Sequence, residues 1–192
     1  MTLQLLEERI ARDAKIPGPD ILKVDMFLNH QIDTDLLWEM GMEFHKLFAS
    51  ENITKILTVE ASGIAIACFT AKFFHCPVVF AKKGNHRNVG DNVFTADVFS
   101  FTKGSTCTIQ VSKDYITSAD TVLIIDDFLA DGNASLGLKS IIDQAGARLA
   151  GIGIAIEKGF QPGGKMLRDS GINVQSLAII ESMDENGIVF AH

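Results

Sequence analysis

An α/β fold, with a mostly parallel, open sheet flanked by helices, is what this sequence predicts, and three observations predict it. Short runs of branched apolar residues, "KILTV", "TVLIID" and "RLAGIGIAIE", read as strands buried on both faces. Helical stretches separate them, so strand and helix alternate along the chain. Each of these strands runs into a loop of small and polar residues, "EASGIA", "DDFLADGNAS" and "EKGFQPGG". In open parallel sheets the loops at the carboxyl ends of the strands face the ligand crevice, so the three can converge on one cleft.

The elements follow in order. Leu3, Leu6 and Ile10 space a short amphipathic helix that stops before "PGPD" at Pro17 to Asp20. Ile21 to Asn29, "ILKVDMFLN", reads as extended, and Asp33 is placed to cap the next helix. That helix carries its apolar stripe at Leu36, Leu37, Met40, Phe44, Leu47 and Phe48. Lys55 to Val59 is a buried parallel strand, and "EASG" turns the chain into a helix from about Gly63 to Phe74. Pro77 precedes a third short strand, "VVFA". Lys82 to Asn92 is polar, glycine-bearing and basic at its start, which suits a loop that closes over a site. "VFTADVFSF", "TKGST" and "CTIQVS" make a hairpin around Gly104. "TVLIID" is the next buried strand, "NASLGLKSIIDQAG" a helix closed by Gly146, and "RLAGIGIAIE" a strand. Leu167 lies in a short helix ending near Gly171, and "NVQSLAII" is the last strong strand.

With 192 residues, one domain is the economical reading, with a small hood over about 1–32 and a flexible loop and hairpin over about 82–111. A hydrophobic content of 47% and a charged content of 21% describe a soluble globular protein. The net charge of −7 and the lack of a dense Lys/Arg run argue against nucleic acid. No apolar run has membrane-spanning length, and the early acids of "MTLQLLEERIARDAKI" are wrong for a signal peptide, so the expected location is the cytoplasm. Cys68, Cys76 and Cys107 are odd in number and lack CxxC spacing; they read as core residues in a reducing compartment. The histidines form no ligand pair at helical spacing, so no structural zinc is expected.

The chemistry concentrates in "VLIIDDFLADGNAS", Val122 to Ser135. Asp126 and Asp127 set like charges side by side behind a buried strand. An ordinary strand end with a solvated turn would explain one acid better than two. In the loop that follows, Ala130, Gly132 and Ala134 keep side chains away, and a helix starts near Asn133. Exposed backbone N–H groups at a helix start make a phosphate cradle. Carboxylates repel phosphate but accept hydrogen bonds from sugar hydroxyls, so a ribose carrying a phosphate satisfies both halves. GxxxxGK[ST] is absent, so this is no P-loop. Response-regulator receiver domains share the paired acids, but carry them on the first strand with far more chain behind; that reading is rejected.

"VLIIDDFLADGNA" resembles the phosphoribosyl-pyrophosphate signature of the type I phosphoribosyltransferases. With "LKVDMFLNHQID", "VEASGIA", "NVFTADVFSFTK" and "IAIEKGFQPGG", the chain is similar to the bacterial xanthine phosphoribosyltransferase branch of that family, from about Leu22 to the last strand. Many relatives place threonines in the phosphate loop, where this chain has Ala130 and Ala134, so backbone donors carry more of the 5′-phosphate. Asp131, an acid inside that loop, is expected to point outward.

The resemblance implies a single phosphoribosyltransferase domain. Its reaction moves the 5-phosphoribosyl group from phosphoribosyl pyrophosphate to xanthine, in purine salvage. Asp126 and Asp127 are then the catalytic acids at the ribose hydroxyls. Ala130, Asp131, Gly132, Asn133 and Ala134 bind the 5′-phosphate, and Ser62, Gly63 and Lys82 the pyrophosphate, with Lys83 beside Lys82 able to reach it when the basic loop closes. Leu22, Asn29 and Lys158 address the base, with Phe160 able to stack on it. Mg²⁺ comes with phosphoribosyl pyrophosphate and is held mainly by that substrate, without direct protein ligands. A homodimer is implied as well. The alternatives are another purine (guanine, hypoxanthine or adenine), or a non-catalytic regulator sensing phosphoribosyl pyrophosphate. The regulator is disfavoured by the short segment before the first strand and by the acidic charge.

Overall fold

A computed structural model describes residues 3–18, 20–84, 92–100, 104–184 and 187–191 of the chain. Helix α1 (Gln4–Asp13) buries Leu6 and Ile10, and a two-stranded antiparallel sheet of β1 (Lys15–Gly18) and β2 (Ile21–Lys23) follows. Ile21 to Asn29 is therefore extended only at its start. Asp25–Asn29 is a π-helical turn, with Leu28 N–H bonding to Val24 O at 3.0 Å. Val24, Phe27 and Leu28 are all fully buried, and their i, i+3, i+4 spacing requires a helical path to put them on one side. Helix α2 (Thr34–Leu47) begins as expected, with Asp33 Oδ1 accepting from Leu36 N–H at 3.1 Å.

The remaining elements are β3 (Lys55–Val59), α3 (Gly63–Phe74), β4 (Val78–Lys83), β5 (Val93–Ser100), β6 (Ser105–Ser112), β7 (Thr121–Leu129), α4 (Asn133–Gln144), β8 (Arg148–Lys158), α5 (Gly163–Asp169), β9 (Val174–Asp184) and β10 (Gly187–Phe190). β5 and β6 pair from Val93↔Ser112 to Ser100↔Ser105, with Gly104 at φ 61°. Residues 85–91 of the expected flexible loop and 101–103 of the hairpin turn lie outside the described residues.

Eight strands form one sheet in the order β10-β9-β8-β7-β3-β4-β6-β5. Its centre, β9 to β4, is parallel, while the pairings β10–β9 at one side and β4–β6 and β6–β5 at the other are antiparallel. From β3 the chain goes one way to β4 and the other way to β7, β8 and β9, so the strand order reverses between β3 and β7. That is the topological switch point at which such sheets bind ligands.

The period of two explains the continuous apolar runs. Ile56, Leu123 and Ile125 pack into a core shared with α1, α2 and α3, whereas their neighbours Leu57, Val122 and Ile124 pack into a second core under α4. Several strands outrun their expected ends: β7 continues through the acids to Leu129, β9 runs on to Asp184, and β4 reaches Lys83 by pairing its last two residues with β6. No described helix is long and apolar enough to cross a membrane.

Candidate active site

A cleft of about 680 Å³ opens at the carboxyl ends of the central strands. Phe128, Leu129 and the whole loop Ala130–Ala134 line it, together with Lys83, Asp20, Lys158 and Gln161. The loop earns its small residues. Gly132 sits at φ 85° before α4, a left-handed conformation that glycine adopts without strain, and no side chain caps the helix there. Gly163 N–H donates to Ala130 O at 3.0 Å, and a Cβ on Gly163 would lie 2.6 Å from Gly132 N. A Cβ on Gly132 would in turn lie 3.0 Å from Met166 Cε, a tight contact that the methionine end would have to yield to. Asp131 is among the residues lining the cleft.

Asp126 and Asp127 precede this wall and are not among the residues lining it. Asp126 Oδ1 accepts from Asp127 N–H at 3.0 Å, and Asp127 Oδ1 accepts from Phe128 N–H at 3.0 Å. Asp126 is 4% exposed. Burial first, and the neighbouring Asp127 second, push its carboxyl well above the usual carboxylate range, with Lys83 pulling weakly the other way. Gly63 lies against it: a Cβ there would strike Thr58 Oγ1 and come within 3.1 Å of Asp126 Oδ1. The "EASG" loop thus passes directly over the acid strand. Ser62 makes no side-chain cap bond to α3, so it is not spent on starting the helix. Glu60 Oε1 accepts from Lys83 N–H at 2.7 Å, tying the end of β4 to the same loop.

Lys158 faces the cleft from β8. Its Nζ donates to Asp20 O at 2.5 Å and lies 5.8 Å from the Phe128 ring centroid. Burial lowers its ammonium below the ordinary lysine value, an effect partly offset by Asp20 and Asp131. Among the described residues no group of three or more His, Cys, Asp or Glu is placed to hold a metal.

No family model matches the chain. The xanthine phosphoribosyltransferase of Ruminiclostridium cellulolyticum is 60% identical over 188 residues, covering 98% of this chain and 99% of that one. That of Clostridium novyi is 53% identical over 188 residues, with the same coverage of 98% and 99%. The chain belongs to the xanthine phosphoribosyltransferase family. Solved structures agree on the fold. The adenine phosphoribosyltransferase of Giardia lamblia complexed with 9-deazaadenine superposes with a TM-score of 0.74 at 19% identity, covering 95% of this chain and 99% of that one. The adenine phosphoribosyltransferase of Thermoanaerobacter pseudethanolicus gives 0.73 at 20% identity, covering 93% and 99%. At these identities the likeness is one of fold alone.

The residues that resemblance to the xanthine phosphoribosyltransferases singled out are not all brought together. The phosphate loop and Lys158 share the cleft. Lys82 does not reach it: the strand pleat turns Lys82 into a separate cavity with Lys55, Phe80, Gln110 and Tyr115, and its neighbour Lys83 faces the cleft instead. Leu22 is 7% exposed, with its side chain in the core, and Asn29 closes the π-helical turn; neither lines the cleft. Phe160 is 39% exposed and also lies off the lining, whose aromatic residues are Phe99 and Phe128. Phe128 and Gln161 are thus the candidates the sequence reading missed, although both stand inside quoted motifs. Lys83 belongs with Lys82 to the basic start of the expected closing loop, and the pleat of β4 decides which of the two faces the cleft.

Proposed function

We propose that the chain transfers the 5-phosphoribosyl group of phosphoribosyl pyrophosphate to xanthine in purine salvage, yielding xanthosine 5′-monophosphate and pyrophosphate. The observation that supports the residue roles is the single cleft lined both by the loop Ala130–Ala134, small at Ala130, Gly132 and Ala134, and by Lys158. Backbone N–H groups of Ala130 to Ala134 hold the 5′-phosphate. Asp127, the more accessible acid, accepts from a ribose hydroxyl, and Asp126 behind it adds negative charge near the carbon that turns cation-like as pyrophosphate leaves. Ser62 and Gly63 present backbone donors to the pyrophosphate, and Lys83 supplies the cation. Lys158 donates to the base, and Phe128 offers it an apolar face.

Two adjacent carboxylates, one of them buried, are too few donors for a resident ion, which fits a metal carried in by the substrate. Mg²⁺ bound with phosphoribosyl pyrophosphate neutralises the leaving group. The β1–β2 pair and the π-helical turn form the hood, with Asp20 meeting Lys158. We extend the reading to a cytoplasmic homodimer, supported by exposed apolar side chains at Trp38, Phe80 and Tyr115; a monomeric mass by light scattering overturns the dimer.

The test of the reaction is a competition with Mg²⁺, phosphoribosyl pyrophosphate and equimolar xanthine, guanine, hypoxanthine and adenine. Xanthosine monophosphate is the expected main product. Equal use of guanine overturns the choice of base and leaves the reaction class; no nucleotide from any base overturns the reaction.

A further inference from the structure

Glu157 is as buried as Asp126, at 4% exposed, and has no part in the ligand contacts above. Both of its oxygens are occupied. Arg168 Nη1 donates to Oε1 at 2.7 Å and Nη2 to Oε2 at 2.6 Å, and Ser176 Oγ also donates to Oε2. Burial alone raises this carboxyl, but the hydrogen bonds from Arg168 and Ser176, with the guanidinium charge, outweigh it and hold it below its ordinary value. A two-point guanidinium contact fixes orientation as well as distance.

The three residues come from three elements: Glu157 from β8, Arg168 from α5 and Ser176 from β9. The cluster therefore pins the short helix α5 to two neighbouring strands. α5 is also pressed against the phosphate loop through the Gly163 N–H bond to Ala130 O at 3.0 Å. Its second residue leaves no slack: a Cβ on Gly164 would strike Glu157 Oε1 and lie 2.8 Å from Arg168 Nη1. On the other side, Glu157 directly precedes Lys158, and the turn into α5 is closed by Gln161 N–H to Lys158 O at 2.9 Å. One rigid path thus runs from Lys158 through the ion pair and α5 to the loop that cradles phosphate.

We infer that Glu157, Arg168 and Ser176 are positioning residues for the proposed transfer, setting the phosphate loop at a fixed distance from Lys158 so that ribose and base meet in line. The inference rests on the phosphoribosyl-transfer reading. The reaction joins two ligands, and misplacing one by about an ångström can cost about a hundredfold in rate. None of the three side chains lines the cleft, so their loss acts only through the loop and the lysine.

The experiment compares Arg168→Ala, Arg168→Lys and Ser176→Ala with the native chain, well below each melting temperature, and measures kcat and both KM values. Arg168→Ala is expected to raise KM for phosphoribosyl pyrophosphate and for xanthine together, by about tenfold each. Arg168→Lys, keeping the charge but one contact point, recovers part of both. Ser176→Ala moves both in the same direction by less, and serves if the alanine variant at 168 does not fold. A role in folding alone lowers the active fraction, and so kcat, while leaving both KM values where they were. A folded Arg168→Ala or Ser176→Ala chain with both KM values within about twofold of native overturns the inference. Calorimetric titration with Mg²⁺–phosphoribosyl pyrophosphate separates the two readings. A native chain that makes no nucleotide overturns the reaction, while the inference still stands or falls on whether Arg168→Ala or, if that chain does not fold, Ser176→Ala weakens this binding.

Discussion

Asp126 and Glu157 stand on adjacent, paired strands, three residues apart in register, and each is 4% exposed. Glu157 has a guanidinium and a hydroxyl from its own chain, and its carboxyl is held below the ordinary value. Asp126 has another acid beside it, accepts from that neighbour's backbone N–H, and its carboxyl is pushed well above. Depth does not separate the two; the owner of the compensating charge does. Where the chain supplies it permanently, the carboxylate holds elements together. Where the chain supplies none, the cost is carried by the resting fold, which marks the position as one suited to a ligand in the proposed transfer.

The sharpest way to break this contrast is to neutralise the unpaired side. Asp126→Asn and Asp127→Asn should each lower kcat/KM by about a hundredfold or more without lowering the melting temperature; native-like rates in both remove the ribose role. Next comes the paired side, where Arg168→Ala strands a buried carboxylate. Urea unfolding should show a loss of about 2–3 kcal/mol, at the low end for a broken pair because the Arg168 side chain is 37% exposed. A loss near zero makes the pair ornamental.

The pH dependence sharpens the comparison, because the two signs are opposite. Asp126, raised above its ordinary 3.8, contributes stability that is full below 3.8 and is lost as pH rises through its folded value. Glu157, lowered below its ordinary 4.5, contributes stability that is present above 4.5 and lost as pH falls through its folded value. In thermal melts across acid to neutral pH, Asp126→Asn should therefore gain on the native chain as pH rises. The deficit of Glu157→Gln should shrink on acidification. Parallel curves for the two variants contradict the contrast. The smallest effect is expected at Phe128→Leu, which should raise KM for xanthine severalfold and leave that for phosphoribosyl pyrophosphate unchanged.

Much of this was legible because it follows from period and capping. Asp33, the stripe from Leu36 to Phe48 and the runs of β3, β7 and β8 each point to one structure. The π-helical turn was missed because "VDMFLN" opens with no cap or turn residue, although Val24, Phe27 and Leu28 carry helical spacing. β1, β2 and β10 are short and exist through pairing, which no single segment announces. In the site, the loop Ala130–Ala134 that lines the cleft was readable from its small residues. Which of Lys82 and Lys83 faces the cleft was not, because parity depends on where β4 meets β6. The Glu157–Arg168 pair was invisible for a related reason: only the packing of α5 onto β8 brings the two charges together.

The join between β3 and β7 has a kinetic meaning. Thr54 Oγ1 bonds to Asp120 Oδ1 at 3.0 Å across a sequence separation of 66 residues. The β5–β6 hairpin and the run from β7 to β9 are local and can assemble early, whereas this seam waits for a long loop to close. The strand ends that carry Gly63 and Asp126 meet only when the seam closes, so the binding cleft is among the last features to appear during refolding. Phosphoribosyl pyrophosphate, binding only the finished seam, should slow unfolding while leaving the refolding rate untouched.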